Sequence, residues 1–110
     1  MIPDPAPPFE LGTSGNVRER IQRMLNRAAD LGILPEIELA IAEIIHLLTQ
    51  SPRGWGDPLR NFRHAQTVEY RGQHRHFQCF YSIHDRIPIV FLTTLTTLEG
   101  NPLHGENFDG

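Results

Sequence analysis

The chain reads as an α+β domain, an N-terminal antiparallel helical hairpin packed on a small antiparallel sheet of three or four strands. Three observations predict it. Apolar residues recur at helical spacing as far as about residue 50, a block of Pro and Gly then breaks the pattern, and a period of two follows. With 110 residues, the chain has room for one domain with a modest core and argues against two.

The elements follow in order. "MIPDPAPP" sets φ at four prolines and lacks their donors, so residues 1–8 read as a disordered, polyproline-like arm. "FELGTS" reads as a short edge strand and opens a single domain over 9–98. Asn16 with Glu19 three residues on forms a capping-box pattern at the start of the first helix. Val17, Ile21, Met24, Leu25 and Ala28 make its apolar stripe, with Arg18, Arg20, Arg23 and Arg27 opposite. Gly32 fits a left-handed C-cap, and Pro35 suits the first turn of a second helix. Ile37, Ile41, Ile44, Ile45 and Leu48 are that helix's expected buried stripe, which ends in the breakers of "SPRGWGDP". The connection of about three residues makes the two helices antiparallel neighbours.

Beyond Pro58, "QTVEYR" alternates Val68 and Tyr70 against Thr67, Glu69 and Arg71, and Gly72 is the expected turn. "HFQCFYSIH" then alternates Phe77, Cys79, Tyr81 and Ile83 against His76, Gln78, Phe80, Ser82 and His84. "HDRIP" turns again, and "IVFLTTLTTL" is a β-branched third run. Short turns force antiparallel pairing. The Gly- and Asn-rich remainder, 99–110, reads as a flexible tail.

Composition narrows function. The net charge is −3, and its distribution is uneven, with acidic ends flanking an arginine-rich centre from Arg53 to Arg86. That centre permits local contact with an anion, but the balance does not resemble a dedicated nucleic-acid binder. No lysine occurs. The amino terminus shows no positively charged region followed by an apolar one, and "LAIAEIIHLL" is too short and too interrupted to span a bilayer, so a cytoplasmic location without membrane contact is expected. A single Cys79 excludes an internal disulfide.

The stretch "YRGQHRHFQCFYSIHD" invites a metal reading that geometry weakens. His76 and His84 share a strand face but stand eight residues apart, roughly 26 Å along a strand. Cys79 points to the opposite face from His76, and His74 with His76 would need ligands from elsewhere. No metal and no cofactor are therefore expected. Nucleophilic motifs are absent as well: there is no G-x-S-x-G, Walker loop or G-x-G-x-x-G. Trp55 in the Gly-rich loop suits a lid on the core edge better than a base-stacking platform.

"SPRGWGDPLRNF" followed by "VEYRGQHRHFQCFYSIHDRIPIVFLTTL" resembles the RelE/ParE superfamily of small bacterial toxins. The matching features are the Leu59-Arg60-Asn61 helix exit, Tyr70-Arg71, the Phe80-Tyr81 aromatic pair, the His84-Asp85 turn and the apolar Ile89-Val90-Phe91-Leu92 strand. The likeness spans 16–98. It implies a toxin of a type II toxin–antitoxin system, with an antitoxin as partner and the ribosome with its mRNA, or gyrase, as target. Antitoxins of this type wrap a disordered acidic or amphipathic segment around the toxin, and the basic centre with the Arg-rich face of the first helix is where one would lie.

RelE-like members resemble ribosome-dependent mRNA endoribonucleases, which inhibit translation. Their chemistry needs a base, a proton donor and cations around the transferring phosphate. Carried over position by position, Arg71 matches. The Arg before the aromatic pair is Gln78, or His76 if the turn is one register longer. The basic cluster closing the last strand is Thr96, Thr97 and Leu98, and "NPLHGENF" offers only His104 and Phe108 where the family has a Tyr or His. The catalytic set implied is Arg71, Arg75 and His76, with Arg60, Arg63, His74, Gln78 and His84 on the substrate- or partner-binding side. Losing one transition-state donor costs ~100-fold or more. The expectation therefore leans to a toxin scaffold that binds a macromolecular partner without cutting RNA. An active ribonuclease and an unrelated structural or housekeeping protein stay open as alternatives.

Overall fold

A computed structural model describes residues 7–108, so most of the expected N-terminal arm (1–6) lies outside the described residues. The elements run β1 (Glu10–Thr13), α1 (Gly15–Asp30), α2 (Leu34–Gln50), α3 (Pro52–Trp55), β2 (Asp57–Phe62), β3 (Thr67–His74), β4 (Phe77–His84) and β5 (Ile89–Thr97). The sheet has five strands in the order β1-β5-β4-β3-β2. Its β2–β5 ladders are antiparallel, and β1 joins β5 in parallel. The α+β class and the helical hairpin on the sheet are as expected, with one correction in strand number. β2 rises from the segment read only as a helix stop, where all six residues are exposed and no apolar alternation announces a strand.

Local chemistry explains the helices. The α1 cap is Ser14, whose Oγ accepts from the Val17 amide at 3.2 Å, so the helix is capped two positions before the expected Asn16. At its other end Gly32 takes φ +74°. Its N–H donates to Ala29 and the Ile33 N–H donates to Ala28, which is the Schellman arrangement. Pro35 stands in the first turn of α2. Val17, Met24 and Ala28 meet Ile37, Ala40, Ile41, Ile44 and Leu48 in the core. Ile45, expected in that stripe, is 40 % exposed because the facing position falls to Ala40.

The inner sheet face supplies Phe77, Cys79, Tyr81 and Ile83 from β4 and Val90, Leu92 and Leu95 from β5, each buried as the alternation requires. Tyr81 is stacked between Trp55 and Tyr70, with ring centroids 5.5 Å away on each side. Its hydroxyl donates to the Pro52 carbonyl at 2.6 Å and accepts from the Gly56 amide at 2.9 Å, which ties α3 to the sheet.

The segment after β5, expected as a flexible tail from 99, is packed over its described length. Leu103 and Phe108 are buried in the core. The α1 arginines hold it: Arg23 donates to the Phe108 carbonyl at 2.7 Å, Arg27 meets Glu106 at 3.0 Å, and the Arg20 guanidinium lies 6.0 Å from the Phe108 ring centre. The burial of two large side chains favours ordering this segment despite its Gly and Asn content.

Candidate functional site

The β3–β4 register decides which polar side chains meet. Tyr70 pairs with Tyr81 and Gly72 with Cys79, so Val68, Tyr70 and Gly72 share the core-side parity. Thr67, Glu69, Arg71 and Gln73 take the other face, beside Gln78, Phe80, Ser82 and His84 of β4. Across the other ladder Arg71 stands opposite Asp57. On this helix-free face Arg60 pairs with Glu69 at 3.2 Å and lies over the Phe62 ring, while the Gln73 Nε2 donates to Gln78 Oε1 at 3.1 Å. Arg71 is exposed there.

The hairpin turns at Arg75 and His76, not at the expected Gly72. Both turn residues have positive φ, 48° and 60°, as two-residue hairpin loops of the primed kind demand. Neither is glycine, so each holds a left-handed conformation that costs of order 1 kcal/mol or more. Tertiary contacts hold the tip on both sides. Glu43 of α2 bonds the Arg75 guanidinium and His74 Nε2, the latter at 3.1 Å. On the other side the His76 carbonyl accepts from the Leu98 amide at 2.8 Å and from Asn101 Nδ2 at 3.3 Å. The hydrogen bond from Arg75, then that from His74, holds the Glu43 carboxyl below its ordinary range.

The expected catalytic residues are thus divided. Arg71 stands on the open sheet face, Arg75 is drawn to the helix side, and His76 sits in the turn with its ring against Gly100. The expected binding residues are also dispersed. Arg60 and Gln78 share Arg71's face, whereas His74 has core-side parity and Arg63 begins the 3-10 turn after β2. His84 Nδ1 accepts from the Arg86 and Ile87 amides and so shapes the β4–β5 turn. His76 and His84 do not share a strand, which corrects the earlier facing argument.

Four features escaped sequence reasoning: Glu43 as the tether of the tip, Asp57 opposite Arg71, the occupation of the α1 arginines by the chain's own tail, and β2 itself. All rest on pairings distant in sequence, and only the opposite charges hinted at them. Trp55 does lie at the core edge. Its Nε1 donates to the Gln73 carbonyl at 3.3 Å, and a Cβ at Gly72 would come within 2.7 Å of its ring. Burial pushes the Cys79 thiol up to about 12, which removes it as a nucleophile. Among the described residues no three His, Cys, Asp or Glu side chains are grouped to hold a metal, and no helix is long and apolar enough to cross a membrane.

Chemically, the arrangement offers a mixed polar and aromatic face on which Arg60 pairs with Glu69 and Arg71 stands opposite Asp57, and a separately tethered hairpin tip. No protein-family model and no curated protein matches the sequence. Among solved structures, a chain of the toxin-antitoxin complex RelBE2 from Mycobacterium tuberculosis is similar. The TM-score is 0.60 at 20% identity, over 86% of this chain and 97% of that one. At that identity the likeness establishes the architecture: the chain has a RelE-like α+β fold.

Proposed function

We propose that the chain is the RelE-like toxin-scaffold component of a toxin–antitoxin system, and that it acts by binding a macromolecular partner, not by cutting RNA. The observation that carries this reading is the separation of Arg71 from Arg75 and His76 by the sheet and the hairpin turn. Acid–base cleavage of a phosphodiester needs its base, donor and cations around one phosphate. The matched solved chain comes from a toxin-antitoxin complex, which supports an antitoxin as the first partner.

The basic centre and the α1 arginine row were the expected docking places, and in the second Arg20, Arg23 and Arg27 are engaged by Leu95, Phe108 and Glu106 of the same chain. The partner surface is accordingly the helix-free sheet face, where Phe62, 39 % exposed, lies beside Arg60 at one edge and Phe91, 42 % exposed, stands on β5 across the sheet, with Arg71 on β3 between them. Aromatic side chains with arginine at a rim suit a protein partner.

Inducing the chain alone and together with each adjacent gene tests the reading. Growth arrest relieved by one neighbour, without cleaved mRNA on ribosomes, is the expected result. Ribosomal mRNA cleavage that disappears in Arg71→Ala would establish the ribonuclease instead, and no growth effect at any expression level would remove the toxin reading.

A further inference from the structure

We infer that the outward face of α2 is a self-association surface, on which a second copy of this chain docks with its own α2 antiparallel about Ala42. The inference goes beyond the toxin-like reading and does not need it. A helix packed on a core normally turns a polar face to water. α1 does so, with Arg18, Glu19, Gln22 and Asn26 among its exposed positions. α2 does not. Leu39 and Ile45 are 52 % and 40 % exposed, and the exposed Ala42 lies midway between them. Steps of three residues put Leu39 and Ile45 about 60° to either side of Ala42. That face is opposite the buried stripe of Ile37, Ala40, Ile41, Ile44 and Leu48.

The order of residues on the face selects its occupant. Leu39 and Ile45 stand three positions before and after Ala42, and Glu38 and His46 stand four positions before and after it. Both of these polar residues are exposed. An isologous two-fold contact requires that residue i meets residue j and that j meets i. Antiparallel helices crossing at Ala42 satisfy this. Leu39 of each copy meets Ile45 of the other, and each Glu38 carboxylate faces a His46 ring, whose N–H can donate to it. Parallel helices in register would instead set Glu38 against Glu38, a repulsive contact. The neighbouring Glu43 is already bonded to Arg75 and His74, so it brings no unpaired charge to the face.

Ala42 at the crossing point lets the two helix axes approach to about 8 Å, the short end of the range for packed helices. One helix from each copy makes an interface at the small end of the specific range, so a dissociation constant of about 10–100 µM is expected. The helices cover the sheet face opposite to Arg60 and Arg71. Pairing through α2 therefore leaves both open sheet faces clear, and the dimer carries two copies of that surface, which favours a bivalent partner.

Sedimentation of the full chain across about 1–500 µM tests the assignment, with a reversible monomer–dimer equilibrium as the expected result. Ala42→Arg suits a helix but brings two like charges together at the crossing. It should weaken the dimer about tenfold or more while circular dichroism and the thermal midpoint stay unchanged. Glu38→Arg should also weaken it, and adding His46→Glu rebuilds the pair in reverse, so affinity should return. Cysteine substitution reads the register, because the native Cys79 is buried. Ala42→Cys should form an intermolecular disulfide on oxidation. Glu38→Cys should not, since its two copies stand about 12 Å apart along the helix axis. A monomer at every concentration would leave the face to a different protein and overturn the proposal. So would a dimer indifferent to Ala42→Arg, a dimer lost in Arg71→Ala, or no recovery in the double variant.

Discussion

The two faces of the sheet have opposite logic. The helix-covered face carries, along β4 and β5, a run of side chains at most a few per cent exposed that belong to one core cluster. The open face carries Arg60, Glu69, Arg71, Gln73, Phe80 and Phe91, none of which belongs to the buried core cluster. The first face makes the scaffold. The second is free to specify what the scaffold holds, which is why a shared fold with a toxin–antitoxin complex does not carry a mechanism with it.

The sharpest test of that contrast truncates one phenylalanine on each face. Phe77 is 1 % exposed, and Phe77→Ala should cost about 3–5 kcal/mol of stability through lost transfer and a cavity. Phe91 covers Gly12 of β1 from the open side, and Phe91→Ala should cost about 1 kcal/mol or less. Denaturant midpoints with unchanged slopes measure both. Similar losses in the two variants would mean that the open face is structural, and the partner surface assigned to it would lose its basis.

Tyr81→Phe should have an intermediate effect. The substitution leaves the ring stack in place but strips the Pro52 carbonyl and the Gly56 amide of their shared partner, at a cost of about 1–3 kcal/mol. Because α3 positions Trp55, the tryptophan emission should shift in the folded variant. A variant with native stability and native emission would show that α3 is held by stacking alone.

Cys79 offers a kinetic view of the same face. With its thiol raised to about 12 by burial, thiolate is scarce at neutral pH, so labelling should follow opening of the sheet and not surface chemistry. Slow labelling of the native chain that becomes fast in denaturant is the expected result. Equally fast labelling in both conditions would contradict burial of this face.

How much was legible follows the same division. Strand alternation from Phe77 to Ile83 and the α1 and α2 stripes could be read because burial imposes a period on residue type, and Gly32 and Pro35 announced a helix end and start by their backbone restrictions. β2 could not be read, since an edge strand with every residue exposed has no period to show, and Pro58 with the bulge that follows are devices for blunting an edge. Gly72 looked like a turn because glycine usually signals one; its actual role is to admit the Trp55 ring. The tail was misjudged for a different reason. Its order depends on α1 contacts some 80 residues away, such as Arg23 to Phe108, which local composition does not encode. In the candidate site Arg71 was assigned correctly to the water-facing side, while His74 lies on the core side by strand parity and Arg75 is drawn to the helix side by Glu43 of α2, which bonds both.

That displacement yields the smallest effect and the finest test. The Glu43 carboxyl lies below its ordinary value of 4.5 in the folded chain, chiefly through Arg75 and secondarily through His74. A depressed folded value means that the unfolded chain binds more protons across the interval between the two. The Glu43 contribution is therefore complete above about pH 4.5 and is lost as pH falls through the lower, folded value. Glu43→Gln should leave a shallower loss of stability between about pH 5 and 3, with little change at neutral pH because the group is exposed and screened. Thermal midpoints across that range measure it, and Arg71→Ala is the control from the open face, with no change in slope. Parallel pH profiles for the wild type and Glu43→Gln would place the hairpin tip outside the reach of α2. Arg75 could then swing back beside Arg71, and the separation on which the non-catalytic reading rests would be gone.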